Sequence, residues 1–143
     1  MTQIDFHVNA PDKLAYACRV ARKAWGAGRP MVFHASDAVL DAFDRQLWTF
    51  SAVDFIPHCR ARDRLASVTP ILLAGPADAD ACTDHGLLVN LDRAEPAFFS
   101  RFEKMIEIVS ADEADLDAGR ARWKFYKDRG YPLQRHDVAS AAA

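Results

Sequence analysis

No uninterrupted run of eighteen apolar residues occurs in the chain, so a membrane-spanning helix is excluded by length. Cysteine is sparse: Cys18, Cys59 and Cys82 are odd in number, far apart and without a Cys-x2-Cys pair, which excludes a disulfide scaffold and a cysteine zinc site. The five histidines likewise lack partners at zinc-ligand spacing, and no metal or cofactor is expected. Glycine is scarce where a nucleotide would need it. The first β-α junction reads Val8-Asn9-Ala10-Pro11-Asp12, without the residues that let a backbone approach a pyrophosphate. There is no Gly-x4-Gly-Lys-Ser/Thr loop, and Gly26-Ala-Gly-Arg-Pro30 follows a helix as a stop signal instead of opening one. No Gly-x-Ser-x-Gly elbow marks a serine nucleophile, so no catalytic residue is assigned. A basic excess is missing too: 18 Lys plus Arg face 20 Asp plus Glu, which excludes a protein that grips nucleic acid over its whole surface. The first residues carry neither the basic stretch nor the apolar core of a secretion signal, and the expected location is the cytoplasm.

What is present suits one domain: 143 residues, half of them hydrophobic. Five short apolar runs read as strands: Ile4–Val8, Met31–His34, Pro70–Ala74, Gly86–Leu91 and Lys104–Val109. Helices are expected from about Asp12 to Trp25, from Ser36 to about Trp48, briefly from Pro96, and from Asp112 to Arg129, each with a capping residue or helical apolar spacing. Alternating strands and helices with continuously apolar strands imply an α/β, three-layer Rossmann-like sandwich around a mostly parallel sheet of about five strands. The domain is expected over 1–135, with 136–143 as a frayed tail.

Charge is uneven along the chain. Residues 78–117 carry eleven acidic and three basic side chains, whereas 119–136 carry six basic and one acidic. In the last helix Arg120, Lys124 and Lys127 recur at i, i+4 and i+7 beside Trp123, a stripe of cations next to a large ring. Such a surface suits an acidic peptide with an apolar end; a merely solvated face is the alternative. A second candidate is the aromatic passage Leu47–His58 leading into an irregular segment from Thr49 to Thr69, whose rings suit either a protein interface or a cover for a sheet edge.

The same segment raises an enzymatic alternative, a small cytoplasmic phosphatase or nucleotide hydrolase built on His58-Cys59. Its weakness is spacing. A phosphate-clamping arginine belongs six residues after the cysteine, where this chain has Leu65, with Arg64 one place early.

Leu47-Trp48, then Phe55-Ile56-Pro57-His58, then Arg120-Ala-Arg-Trp-Lys124-Phe-Tyr126-Lys-Asp-Arg-Gly130, in this order and over nearly the whole chain, resemble the chi subunit of bacterial DNA polymerase III holoenzyme. The resemblance implies a non-catalytic accessory of the clamp-loader complex with a Rossmann-like fold, no nucleotide, and only indirect contact with DNA. It implies two partners, the psi subunit and the acidic C-terminal tail of single-stranded-DNA-binding protein, which ends in an aromatic residue. Carried over by motif, the tail site comprises Arg120, Trp123 (where a tyrosine is common), Lys124 and Val109 as pocket wall. The protein-partner surface comprises Trp48, Phe55, Ile56 and Pro57. One departure is Leu116, which stands where some members have a basic residue.

Overall fold

The structure is a computed structural model and describes residues 1–50 and 55–139. In chain order the elements are β1 (Gln3–Ala10), α1 (Lys13–Gly26), β2 (Met31–His34), α2 (Asp37–Thr49), β3 (His58–Arg60), β4 (Ile71–Ala74), β5 (Leu87–Asn90), β6 (Lys104–Ser110), α3 (Glu113–Asp128) and β7 (Leu133–Asp137). The strands form one sheet in the order β3-β4-β2-β5-β6-β1-β7, and every pairing is parallel.

The three long helices start where side chains satisfy free backbone donors. Asp12 accepts from the Ala15 N–H, Ser36 from that of Val39 and Asp112 from that of Asp115, each contributing about 1 kcal/mol. The sheet then separates two apolar clusters. On one face α1 and α2 cover Met31, Phe33, Ile71, Leu73 and Ile108, with the small residues Ala17, Cys18 and Ala21 letting α1 approach closely. On the other face α3 covers Ile4, Phe6, Val8, Met105 and Val109. This is the expected three-layer α/β sandwich.

The sheet has seven strands instead of about five. The two additional strands are its edges. β3 holds three residues and pairs only with β4, and β7 pairs only with β1 while most of its side chains remain exposed. Edge strands need no continuous apolar run, and charged side chains there discourage pairing with other chains. The expected tail boundary moves accordingly: His136 and Asp137 lie in β7 opposite His7 and Val8, and Val138 is buried. The expected irregular segment from Thr49 to Thr69 contains β3, and its residues 51–54 lie outside the described residues, as do 140–143 of the expected tail. The short helix expected from Pro96 is a 3-10 turn at Phe99–Arg101.

Candidate peptide-binding cavity

A cavity of about 350 Å3 opens between α3 and the strands β1, β6 and β7. Its apolar wall consists of Phe6, Val8, Val109, Leu116 and Trp123, and Arg120 and Arg135 stand at its polar side together with Asn9. The Trp123 ring meets Phe6 edge-on, with centroids 5.2 Å apart, so it is held in place by the core and still faces the cavity. Gly119 sets the depth of the helix: a Cβ there would lie 3.0 Å from both Val109 methyl carbons, so only glycine lets α3 come this close to β6.

Three of the four tail-site residues expected from sequence, Val109, Arg120 and Trp123, are thus brought together. Lys124 is not among the lining residues. It is 77 % exposed and its ammonium bonds to Asp128 at 2.9 Å, an i,i+4 pair that raises the Lys124 pKa and lowers that of Asp128. Arg120 is also exposed and shares its guanidinium with Asp117 at 2.9 Å. Sequence reasoning did not assign Phe6, Val8, Asn9, Gly119 or Arg135 to the site, and of these Arg135 is the cation. No sequence pattern marked it: the pairing of β7 with β1 places Arg135 opposite Phe6 and on the α3 face of the sheet.

The second surface divides. Trp48 and Phe55 are exposed and their ring centroids are 5.4 Å apart. Pro57 is half-buried, but Ile56 is buried in the α1–α2 core, so its side chain is not available to a partner without rearrangement. His58, next in sequence, is a fastening: its Nδ1 meets the Ile56 carbonyl at 2.7 Å, its Nε2 lies 2.9 Å from Asp44, and Trp48 packs on its ring. Cys59 sits in β3, paired in register with Leu72, instead of at the base of an anion-binding loop. This placement lends the phosphatase alternative no support.

Among the described residues, one group approaches a metal-ligand arrangement, Asp5, His7 and His136, with ligand atoms within 4.8 Å of one another. Lys104 lies 3.1 Å from Asp5 and already neutralises it, and the Nδ1 of His7 is engaged by the Tyr16 hydroxyl at 2.6 Å. No described helix is long and apolar enough to cross a membrane.

The family model of the DNA polymerase III chi subunit, HolC, matches residues 1–134. The chain is 34 % identical over 141 residues to DNA polymerase III subunit chi of Pseudomonas aeruginosa, covering 95 % of this chain and 96 % of that one. It is 27 % identical over 123 residues to the Haemophilus influenzae subunit chi, covering 85 % of each, and 23 % identical over 117 residues to that of Escherichia coli, covering 81 % and 79 %. The match over residues 1–134 and the 34 % identity across nearly the whole of both chains show that the chain belongs to the DNA polymerase III chi-subunit family, a family of non-catalytic accessory subunits.

Proposed function

We propose that this chain is an adaptor in DNA replication that bridges two proteins. The cavity beside α3 takes the acidic C-terminal tail of single-stranded-DNA-binding protein, and the Trp48–Phe55 face takes the psi subunit of the clamp loader. The observation that carries the first half is the junction of an apolar wall with a cationic rim in one cavity, built around Val109, Arg120 and Trp123. An aromatic chain end fits the wall and acidic groups fit the rim. The exposed, mutually packed rings of Trp48 and Phe55 support the second half, since such rings dominate interface energetics. The two surfaces lie on different elements, α3 with β7 and α2 with the segment before β3, so both partners can bind at once. DNA is reached through the partners, in keeping with the near-balanced charge, and the adaptor works in the cytoplasm where replication proceeds.

Calorimetric titration with a synthetic acidic peptide ending in phenylalanine tests the first half. Wild type should bind it, Trp123→Ala should weaken binding at least tenfold, and added salt should weaken but not abolish it because apolar contact is not screened. Binding unaffected by Trp123→Ala would remove the cavity from the function.

A further inference from the structure

Phe6 and Arg135 are register partners on β1 and β7, so both side chains leave the sheet on the face covered by α3. Arg135 thereby lines the cavity from its strand side, while Arg120 lines it from the helix. The two cations differ in what holds them. Arg120 is bonded to Asp117, whereas among the described residues no carboxylate lies within ion-pair distance of Arg135. The obvious competitor is Asp137, two residues along the same strand and on the same face. Its carboxylate is taken by the Asn9 side-chain amide at 3.0 Å and the Ala139 N–H at 3.0 Å. A guanidinium bonded to no carboxylate, though its charge helps to hold the Asp137 pKa down, thus stands at a cavity whose helical wall carries the apolar side chain of Leu116.

We propose that Arg135 clamps the terminal α-carboxylate of an acidic peptide whose last, aromatic residue occupies this cavity. The inference rests on the tail-binding reading and assigns the group that recognises the chain end. A terminal residue carries its ring and its carboxylate on the same Cα, so seating the ring among Phe6, Val109 and Trp123 fixes the carboxylate within a few ångströms of the mouth. The planar fork of arginine can meet both carboxylate oxygens at once. Arg120, on the helix and exposed, is left for the acidic side chains that precede the end. Edge strand β7 is then a specificity element: it admits a free chain end and discriminates against the same acidic-aromatic sequence inside a longer chain, where that carboxylate is an uncharged amide.

The test compares two peptides of one sequence, acidic and ending in phenylalanine, one with a free carboxylate and one amidated, titrated calorimetrically into wild type and Arg135→Gln. Arg135 is exposed and bonded to no acidic group, so the variant keeps the fold. Amidation is expected to weaken binding to wild type at least tenfold and to Arg135→Gln less than twofold, with the variant binding the free-acid peptide as weakly as wild type binds the amide. If amidation costs the variant as much as wild type, Arg135 does not read the carboxylate and the proposal falls while the tail reading stands. If Arg120→Gln, and not Arg135→Gln, removes the sensitivity to amidation, the clamp is on the helix and the proposal again falls. Failure of wild type to bind either peptide overturns the tail reading and this inference together.

Discussion

The Arg122 Nε lies 3.1 Å from Glu107 Oε1, and both side chains are shut off from solvent. Glu107, on β6, also accepts from the Tyr126 hydroxyl at 2.6 Å and the Asn90 amide at 2.8 Å, while Arg122 reaches the Arg93 carbonyl at 2.6 Å. Burial pushes the Glu107 carboxyl above its usual range, and the Arg122 charge with the two neutral donors opposes that shift. Arg122 and Tyr126 are one helical turn apart. Anchoring both to one carboxylate fixes the rotation of α3 about its axis, which leaves Arg120 and Trp123 facing the cavity.

Removing one member strands a buried charge. Arg122→Met is expected to cost about 3–5 kcal/mol in urea denaturation, because Glu107 loses its charged partner without regaining water. The double variant Arg122→Met, Glu107→Leu should recover at least half of that loss. A single-variant loss below about 1 kcal/mol would mean that the network does not hold the helix.

Gly119→Ala tests the close approach of α3 to β6. Alanine favours a helix by about 1 kcal/mol over glycine, but its Cβ would stand 3.0 Å from two methyl carbons of a buried valine. Since Val109 is enclosed on the sheet, the contact should outweigh propensity and the variant should be less stable than wild type by thermal denaturation. In a Val109→Ala background the same change should stabilise. Stabilisation by Gly119→Ala alone would show that the helix can move outward at no cost.

The interior was legible in the sequence because it obeys simple patterns. Continuous apolar runs such as Ile71–Ala74 marked central parallel strands, and Ser36 and Asp112 marked helix starts. The edges were not legible. His58–Arg60 and Leu133–Asp137 are paired on one side only, so no burial pattern distinguishes them from loop. The candidate site shared this division. Arg120 and Trp123 were visible as a helical stripe together with Lys124, which lies outside the cavity lining; sequence spacing gives the face of a helix and not what lies across from it. Arg135 was invisible because its position depends on β7, and the burial of Ile56 beside exposed Phe55 was not legible because it depends on tertiary packing.

Acid stability provides a third prediction. Burial, with a further contribution from neighbouring His136, pushes the His7 imidazole down to about 4 from an ordinary 6.5. Between these values the unfolded chain holds the extra proton and the folded chain does not, so this group makes stability rise with pH across the window and fall as pH drops from 6.5 toward 4. His7→Gln removes the titration. The stability of wild type relative to His7→Gln, measured by denaturation at a series of pH values, should therefore decline as the pH is lowered through that window. A constant difference would show that His7 titrates alike in the folded and unfolded chain.

Adjacent residues Phe55 and Ile56 separate interface from core. Phe55 is 60 % exposed against Trp48, whereas Ile56 is 2 % exposed within the α1–α2 cluster. Phe55→Ala is expected to leave folding stability within about 0.5 kcal/mol of wild type, because its ring has little burial to lose. The same variant should weaken binding to the clamp-loader psi subunit by about 2 kcal/mol or more, roughly thirtyfold, if the ring is an interface anchor. Ile56→Ala should do the reverse at its origin, costing about 2–5 kcal/mol of stability by leaving a cavity in the core. Its effect on psi binding should follow only from the fraction unfolded. Denaturation and calorimetric titration of both variants, with the acidic peptide as a control ligand at the other surface, distinguish these roles. Equal loss of psi and peptide affinity in folded Phe55→Ala would place Phe55 in the fold and remove the Trp48–Phe55 face from partner binding.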